Sequence, residues 1–249
     1  MEWLLVIIVV AIVAYFLVIR SREGKQHTAD DFADAIAGAR QVNERLAGQI
    51  YHLSGSNDAA KQALADAAER HQAAGSQIGQ ARTPVQARLA KQTALEGLYY
   101  IRAARTAMNM DPGPPIPELE GQAEAGRVSE QREVDFEGRQ VAASPRPSSQ
   151  TPNYFPGGRV AGRPVPAGWY SEPWWKPALI GGAWGIGSAL LFSSLFTGMS
   201  GVGYDAHAFE SGYGEGYQDA AGGIEYDQGG DTGTDWGGGD WGGGFEGGF

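Results

Sequence analysis

Proline and glycine are segregated along this chain, and the segregation limits what it can fold into. Twelve of the 13 prolines lie between Pro112 and Pro177, and 17 of the 38 glycines lie after residue 202. Proline removes backbone donors and glycine carries the largest backbone entropy, so neither stretch favours long regular elements. The residues before Pro112 are left to build a helical core, which excludes a large single-domain enzyme fold for a chain of 249 residues. With no Cys there is no disulfide framework, no thiolate metal site and no cysteine nucleophile.

The net charge of −10 is local: Gly203 to Phe249 holds ten acidic residues and no Lys or Arg. The remainder carries 29 − 10 = 19 acidic against 19 basic residues and is neutral. No basic stripe is present, so nucleic acid is not an expected partner.

Two apolar segments dominate the topology reading. Trp3 to Ile19 is an unbroken apolar run, preceded by Glu2 and followed by Arg20, Arg22 and Lys25. A cleaved signal peptide wants positive charge before the run and small residues after it, so an uncleaved anchor is expected. The second segment starts at Pro177 and stays uncharged until Asp205, with ALIGGAWGIGSALLFSSLF at its centre; its Gly and Ser leave a re-entrant or partner-dependent insertion as the alternative. Arg159, Arg163 and Lys176 precede it and no basic residue follows, which places its start in the cytoplasm and the acidic tail outside. Gly181, Gly185, Ala189, Ser193, Thr197 and Gly201 recur every four residues. On one continuous helix they make a stripe for helix association.

Between these segments, Thr28 and Asp31 open a helix with apolar residues from Phe32 to Leu53 at three- and four-residue steps. Ser54 to Asn57 breaks it and caps a second helix carrying Leu64, Ala67, His71, Ala74 and Ile78 on one face. Thr83, Pro84 and Gln86 start a third, with Val85, Leu89, Leu95, Leu98, Tyr99 and Met108 as its apolar stripe. Short connections make these three an antiparallel, coiled-coil-like bundle whose Ala-rich faces let backbones approach closely. From Asp111 the chain is irregular apart from a short hairpin, where Val134 and Phe136 alternate with Asp135 and Glu137 and Gly138 turns the chain toward Val141. Trp169, Trp174, Trp175 and Lys176, like Trp3, Arg20, Arg22 and Lys25, are the residue types of a membrane interface. An aromatic cap packed on the bundle or on a partner accounts for the same rings.

The tail repeats Asp235-Trp236-Gly-Gly-Gly as Asp240-Trp241-Gly-Gly-Gly and closes on Phe245 and Phe249. That composition predicts disorder with weak multivalent aromatic contacts. Asp227, Asp231 and Asp235 are spaced by four, not the two of a calcium loop. His27, His52, His71 and His207 show no paired metal spacing, and no phosphate-binding loop or nucleophile constellation stands out. No catalytic, cofactor-binding or metal residue is nominated, and no cofactor is expected.

TPVQARLAKQTALEGLYYIRAARTAMNMDPGP, YFPGGRVAGRPVPAGWYSEPWWKPAL and DWGGGDWGGGF resemble an uncharacterised family of small actinobacterial membrane proteins. The resemblance implies an envelope location and carries no activity and no site residues. The expectation is therefore an all-α membrane protein in five parts. These are an anchor over 1–20, a cytoplasmic three-helix bundle over 28–110, and a Pro-rich juxtamembrane segment over 111–176 with a short β-hairpin at 132–143. A second transmembrane helix over 177–202 and a disordered tail over 203–249 complete it. It is a two-pass protein of the plasma (inner) membrane, with its N-terminus and tail extracytoplasmic. Its expected role is a non-enzymatic, membrane-anchored scaffold or adaptor that touches membrane lipid and either protein partners or further copies of itself. The alternative is an oligomeric channel or transport accessory subunit assembled through the small-residue stripe.

Overall fold

The computed structural model describes Trp3, residues 29–185 and residues 187–212. Helix α1 is described over 29–51, α2 runs over Asp58–Gln80 and α3 over Pro84–Ala107. Local chemistry sets the boundaries of α2 and α3. Asn57 Oδ1 accepts the Ala60 N–H at 2.9 Å and caps α2, while its Nδ2 donates to the last carbonyl of α3, Ala107, at 2.7 Å. Thr83 Oγ1 accepts the Gln86 N–H at 3.3 Å, and Gln86 Oε1 accepts from the Arg82 N–H at 2.7 Å.

Helices α2 and α3 approach through alanine. Ala59, Ala60, Ala63, Ala67 and Ala74 face Ala87, Ala90, Ala94, Ala103, Ala104 and Ala107, all buried. Val42, Leu46 and Ile50 of α1 fill the groove above Ala67, Leu95 and Leu98. Gly97 is required there, since a Cβ would collide with the Leu46 side chain. One part of the expected α3 stripe is displaced: Val85 and Leu89 are 55% and 54% exposed, and Ala87 and Ala90 take the inward positions.

After a short helix, α4 (Gln122–Ala125), the Pro-rich segment forms strands instead of an irregular arm. β1 (Arg132–Phe136) and β2 (Arg139–Ser144) are a hairpin turned by Glu137 and Gly138, both at positive φ. β3 (Asn153–Phe155) and β6 (Gly168–Tyr170) complete an antiparallel sheet of order β1-β2-β6-β3. β4 (Gly158–Val160) and β5 (Arg163–Val165) form a separate two-stranded ribbon. Side chains alternate across a strand, so Trp169 and Tyr170 of β6 point to opposite faces. Trp169 and its cross-strand neighbour Tyr154 lie on the alanines of α2 and α3. Tyr170, Ala143 and Val141 face a second core with Phe155, Trp175, Phe192 and Phe196.

That second core accounts for the apolar segment 177–202. It breaks into α5 (Lys176–Gly181) and α6 (Ser188–Phe196), followed by α7 over 206–212. Gly182, Gly187 and Gly198 adopt φ of 68°, 91° and 75°, left-handed conformations that stop α5, admit α6 and follow its end. Nine helical residues rise about 14 Å, less than half the hydrocarbon thickness of a bilayer. Leu191, Phe192, Leu195, Phe196, Met199 and Val202 are instead buried under the sheet. No helix among the described residues is long and apolar enough to cross a membrane.

Three expectations are thereby corrected. The fold is α+β, not an all-α membrane fold or a helical bundle alone. The second transmembrane helix is absent, because glycine interrupts it and the sheet buries its apolar side chains. The two-pass plasma membrane localisation falls with it. The anchor over 1–20, Trp3 apart, and the tail beyond residue 212 lie outside the described residues.

A protein core and a lipid-facing span make different demands on this segment. Leu195 is fully buried and Leu190 is 68% exposed. Leu195→Ala is expected to cost about 2–5 kcal/mol by denaturant unfolding, and Leu190→Ala less than about 0.5 kcal/mol. Equal effects would contradict burial under the sheet.

Candidate functional site

The most chemically loaded region is the seam where the sheet and α5 meet the helices. Trp169 packs on Tyr154 with ring centroids 5.0 Å apart, and Tyr154 meets Tyr100 of α3 edge-on at 6.0 Å. Behind Tyr100 lie Asp66, Glu69 and Arg70 of α2 and Lys176 of α5. Lys176 Nζ stands 3.4 Å from Asp66 Oδ1 and 3.1 Å from Glu69 Oε2. Arg70 Nη1 stands 3.4 Å from Glu96 Oε2, bridging α2 and α3.

Burial raises the pKa of Asp66 against the opposing charge of Lys176, and it raises that of Glu96 against Arg70. Burial also works against the charged form of Lys176. The hydrogen bond to Glu69 and the charges of Asp66 and Glu69 outweigh it, so the ammonium is held above its ordinary range. Burial pushes the Tyr154 hydroxyl up to about 12. A lysine held as a cation is a poor nucleophile. The space beside it is about 10 Å³, no more than a single water needs. The cluster is a strap joining the α5 end of the sheet unit to the helices, not a substrate pocket.

A wider cleft of about 330 Å³ opens at the α1–α2 turn, lined by Ser56, Asn57, Asp58, Lys61, Ala107 and Ser148 among others. Several of its polar groups are committed to structure. Asn57 spans α2 and α3, Lys61 lies 3.7 Å from Asp58, and Ser148 Oγ lies 2.8 Å from Thr151 Oγ1 while accepting the Gln150 and Thr151 N–H groups. Nothing in it pairs a nucleophile with a base.

The residues singled out in the sequence are dispersed. Gly181 ends α5, Gly185 is exposed in the following loop, and Ala189 and Ser193 lie on α6. Thr197 caps the C-terminus of α6, and Gly201 lies beyond it, where its carbonyl accepts the Arg127 N–H at 2.8 Å. The six share no single helix face. Of the interface set, Trp169 and Trp175 are buried, Trp174 is half-buried against Trp184, and Lys176 is ion-paired. Trp3 is exposed, while Arg20, Arg22, Lys25, Trp236, Trp241, Phe245 and Phe249 lie outside the described residues. His71 Nδ1 lies 2.9 Å from Asn43 Oδ1, a side-chain pair between α1 and α2. Among the described residues no three His, Asp or Glu side chains converge as a metal site. The sequence reading missed Asp66, Glu69, Arg70 and Glu96. Glu96, an acid set between Ala94, Leu95 and Leu98, was a usable signal; the pairing of Lys176 with residues 110 and 107 positions away had none.

A carboxyl whose folded pKa is raised contributes stability that is full below its unfolded pKa and lost as pH rises through the folded value. Glu96→Gln, which mimics the protonated form, is therefore expected to exceed the parent in stability by the most at pH 7. The gap should close as pH falls toward the ordinary value of 4.5. Thermal unfolding across that window reads it, and a gap that widens on acidification would refute the assignment. Gly185 has nothing within 4 Å of where a Cβ would sit, so Gly185→Leu should leave the oligomeric state unchanged by size-exclusion with light scattering. Comparisons with protein families, with curated proteins and with solved structures find no match to this chain.

Proposed function

We propose that this protein is a non-enzymatic, membrane-anchored adaptor whose folded body separates a lipid tether from an interaction tail. The observation that carries the reading is the placement of the two chain exits. The apolar run 3–19 leads into α1, whose Ile36 packs with Ala81 and Ala87 at the α2–α3 turn. The sheet unit packs on the opposite end of the helices, through Trp169 against Ala59, Ala60 and Ala107. The tail leaves from it, since Gly212 lies against Gly162, Arg163 and Pro164. Ala60 and Ala81 are 21 residues apart, about 30 Å along a helix. The strap and the aromatic seam make the spacing stiff, which suits a spacer. The channel alternative loses its premise, because the small-residue stripe is divided among several elements.

The test is crosslinked co-purification with the full chain, with a chain ending at residue 212, and with Trp236→Ser/Trp241→Ser. Recovery of a partner through the tail should fall about tenfold in both altered chains, as expected when multivalent contacts are lost, while the unfolding midpoint stays unchanged. Equal recovery from all three, or none from the full chain, would sink the adaptor reading.

A further inference from the structure

We propose that the exposed face of the first half of α3 docks on an anionic bilayer surface. Val85 and Leu89 are one turn apart on this face and each more than half exposed. Arg82 and Arg88 are exposed beside them, Lys91 is exposed on the flank of α3 toward Gly38 of α1, and α3 has no acidic residue before Glu96. Ala87, Ala90 and Ala94 bury the opposite side, so the apolar pair is surplus to the core. Arg82 Nη1 donates to the Ala81 carbonyl at 2.9 Å, and no ion pair among the described residues uses Arg82, Arg88 or Lys91.

The occupant follows from where the chain enters. This proposal rests on the membrane-anchored reading above. Ile36, Ala81 and Ala87 share one buried cluster, so the first described turns of α1 lie at the end of the helices that carries Val85 and Leu89. The apolar run ends at Ile19, and the first described residue of α1, residue 29, follows ten positions later, a reach of at most about 35 Å of chain. A tether in a bilayer therefore holds the first turns of α3 within reach of the headgroups. Glu23 lies between the apolar run and residue 29 in the sequence, and Asp30, Asp31 and Asp34 are exposed on the first described turns of α1 at the same end. Against these four stand six cations, Arg20, Arg22, Lys25, Arg82, Arg88 and Lys91. Basic side chains flanking exposed aliphatic ones suit the interface of an anionic leaflet, where cations meet headgroups and small apolar side chains enter the acyl boundary.

The chain has no Cys, so Val85→Cys carrying an environment-sensitive fluorophore reports without background, with Ser148→Cys in the distant cleft as control. The full chain is reconstituted with phosphatidylcholine vesicles and with phosphatidylcholine–phosphatidylserine vesicles. The emission at residue 85 should shift to the blue on the anionic vesicles alone and revert at 1 M salt, where the screening length is about 3 Å. Each of R82Q and R88Q should weaken the response about fivefold, and the control should not move. Flotation with the vesicles without a shift at residue 85 overturns this proposal and leaves the anchor reading standing; failure to float overturns both. A shift without lipid also overturns it, assigning the face to a second copy if it grows with protein concentration and to the tail if it disappears on truncation at residue 212.

Discussion

Everything in this fold turns on one pair of sequence neighbours, Trp169 and Tyr170. The pleat of β6 sends them to opposite sides of the sheet. Trp169 covers the alanines that α2 and α3 share, and Tyr170 anchors the aromatic core beneath α5, α6 and α7. β6 lies between β2 and β3, so the hydrogen bonds on both its edges fix the two rings at once. The Tyr170 hydroxyl donates to the Pro166 carbonyl at 2.7 Å, which leaves no unsatisfied polar atom from that ring in the core. With two buried faces the sheet joins the Ala-rich helices and the aromatic unit into one body.

That requirement explains why the segment 177–202 is so apolar. Hydropathy reports the free energy of leaving water and is blind to whether lipid or protein receives the side chain. Here Phe192 stacks on Phe209 with ring centroids 4.4 Å apart, and Trp184 donates its Nε1–H to the Val160 carbonyl at 2.9 Å. Three of the glycines that lowered the hydropathy of this stretch, Gly182, Gly187 and Gly198, are turn residues. Their positive φ values, more than the composition, decide between a span and a pair of short helices.

Legibility followed range. The boundaries set by Asn57 and Thr83 could be read directly, because a cap is a contact three residues long. The alternation from Val134 to Phe136 marks the β1–β2 hairpin for the same reason. Strands β3 to β6 were not legible, since three residues set among prolines display no period. The inward face of α3 was misjudged at Val85 and Leu89 because alanine carries a weak hydrophobic signal and decides packing by being small. The strap of Lys176 with Asp66 and Glu69 joins positions over 100 residues apart and leaves no local pattern. For the site, the residue types were visible and their convergence was not.

The alanine seam also orders events in time. Local helical contacts form fast and long-range strand pairing forms slowly, because the loop must close before any contact rewards it. α2 and α3 end at Ala107, but the ring that covers their seam arrives 62 residues later at Trp169. Closure of the sheet unit waits further, for Gly201 to accept the Arg127 N–H. On a chain emerging from the ribosome the helices therefore pair first with their seam bare. Through that interval the nascent protein presents a strip of small, apolar side chains, and folding quality depends on how quickly β6 reaches it.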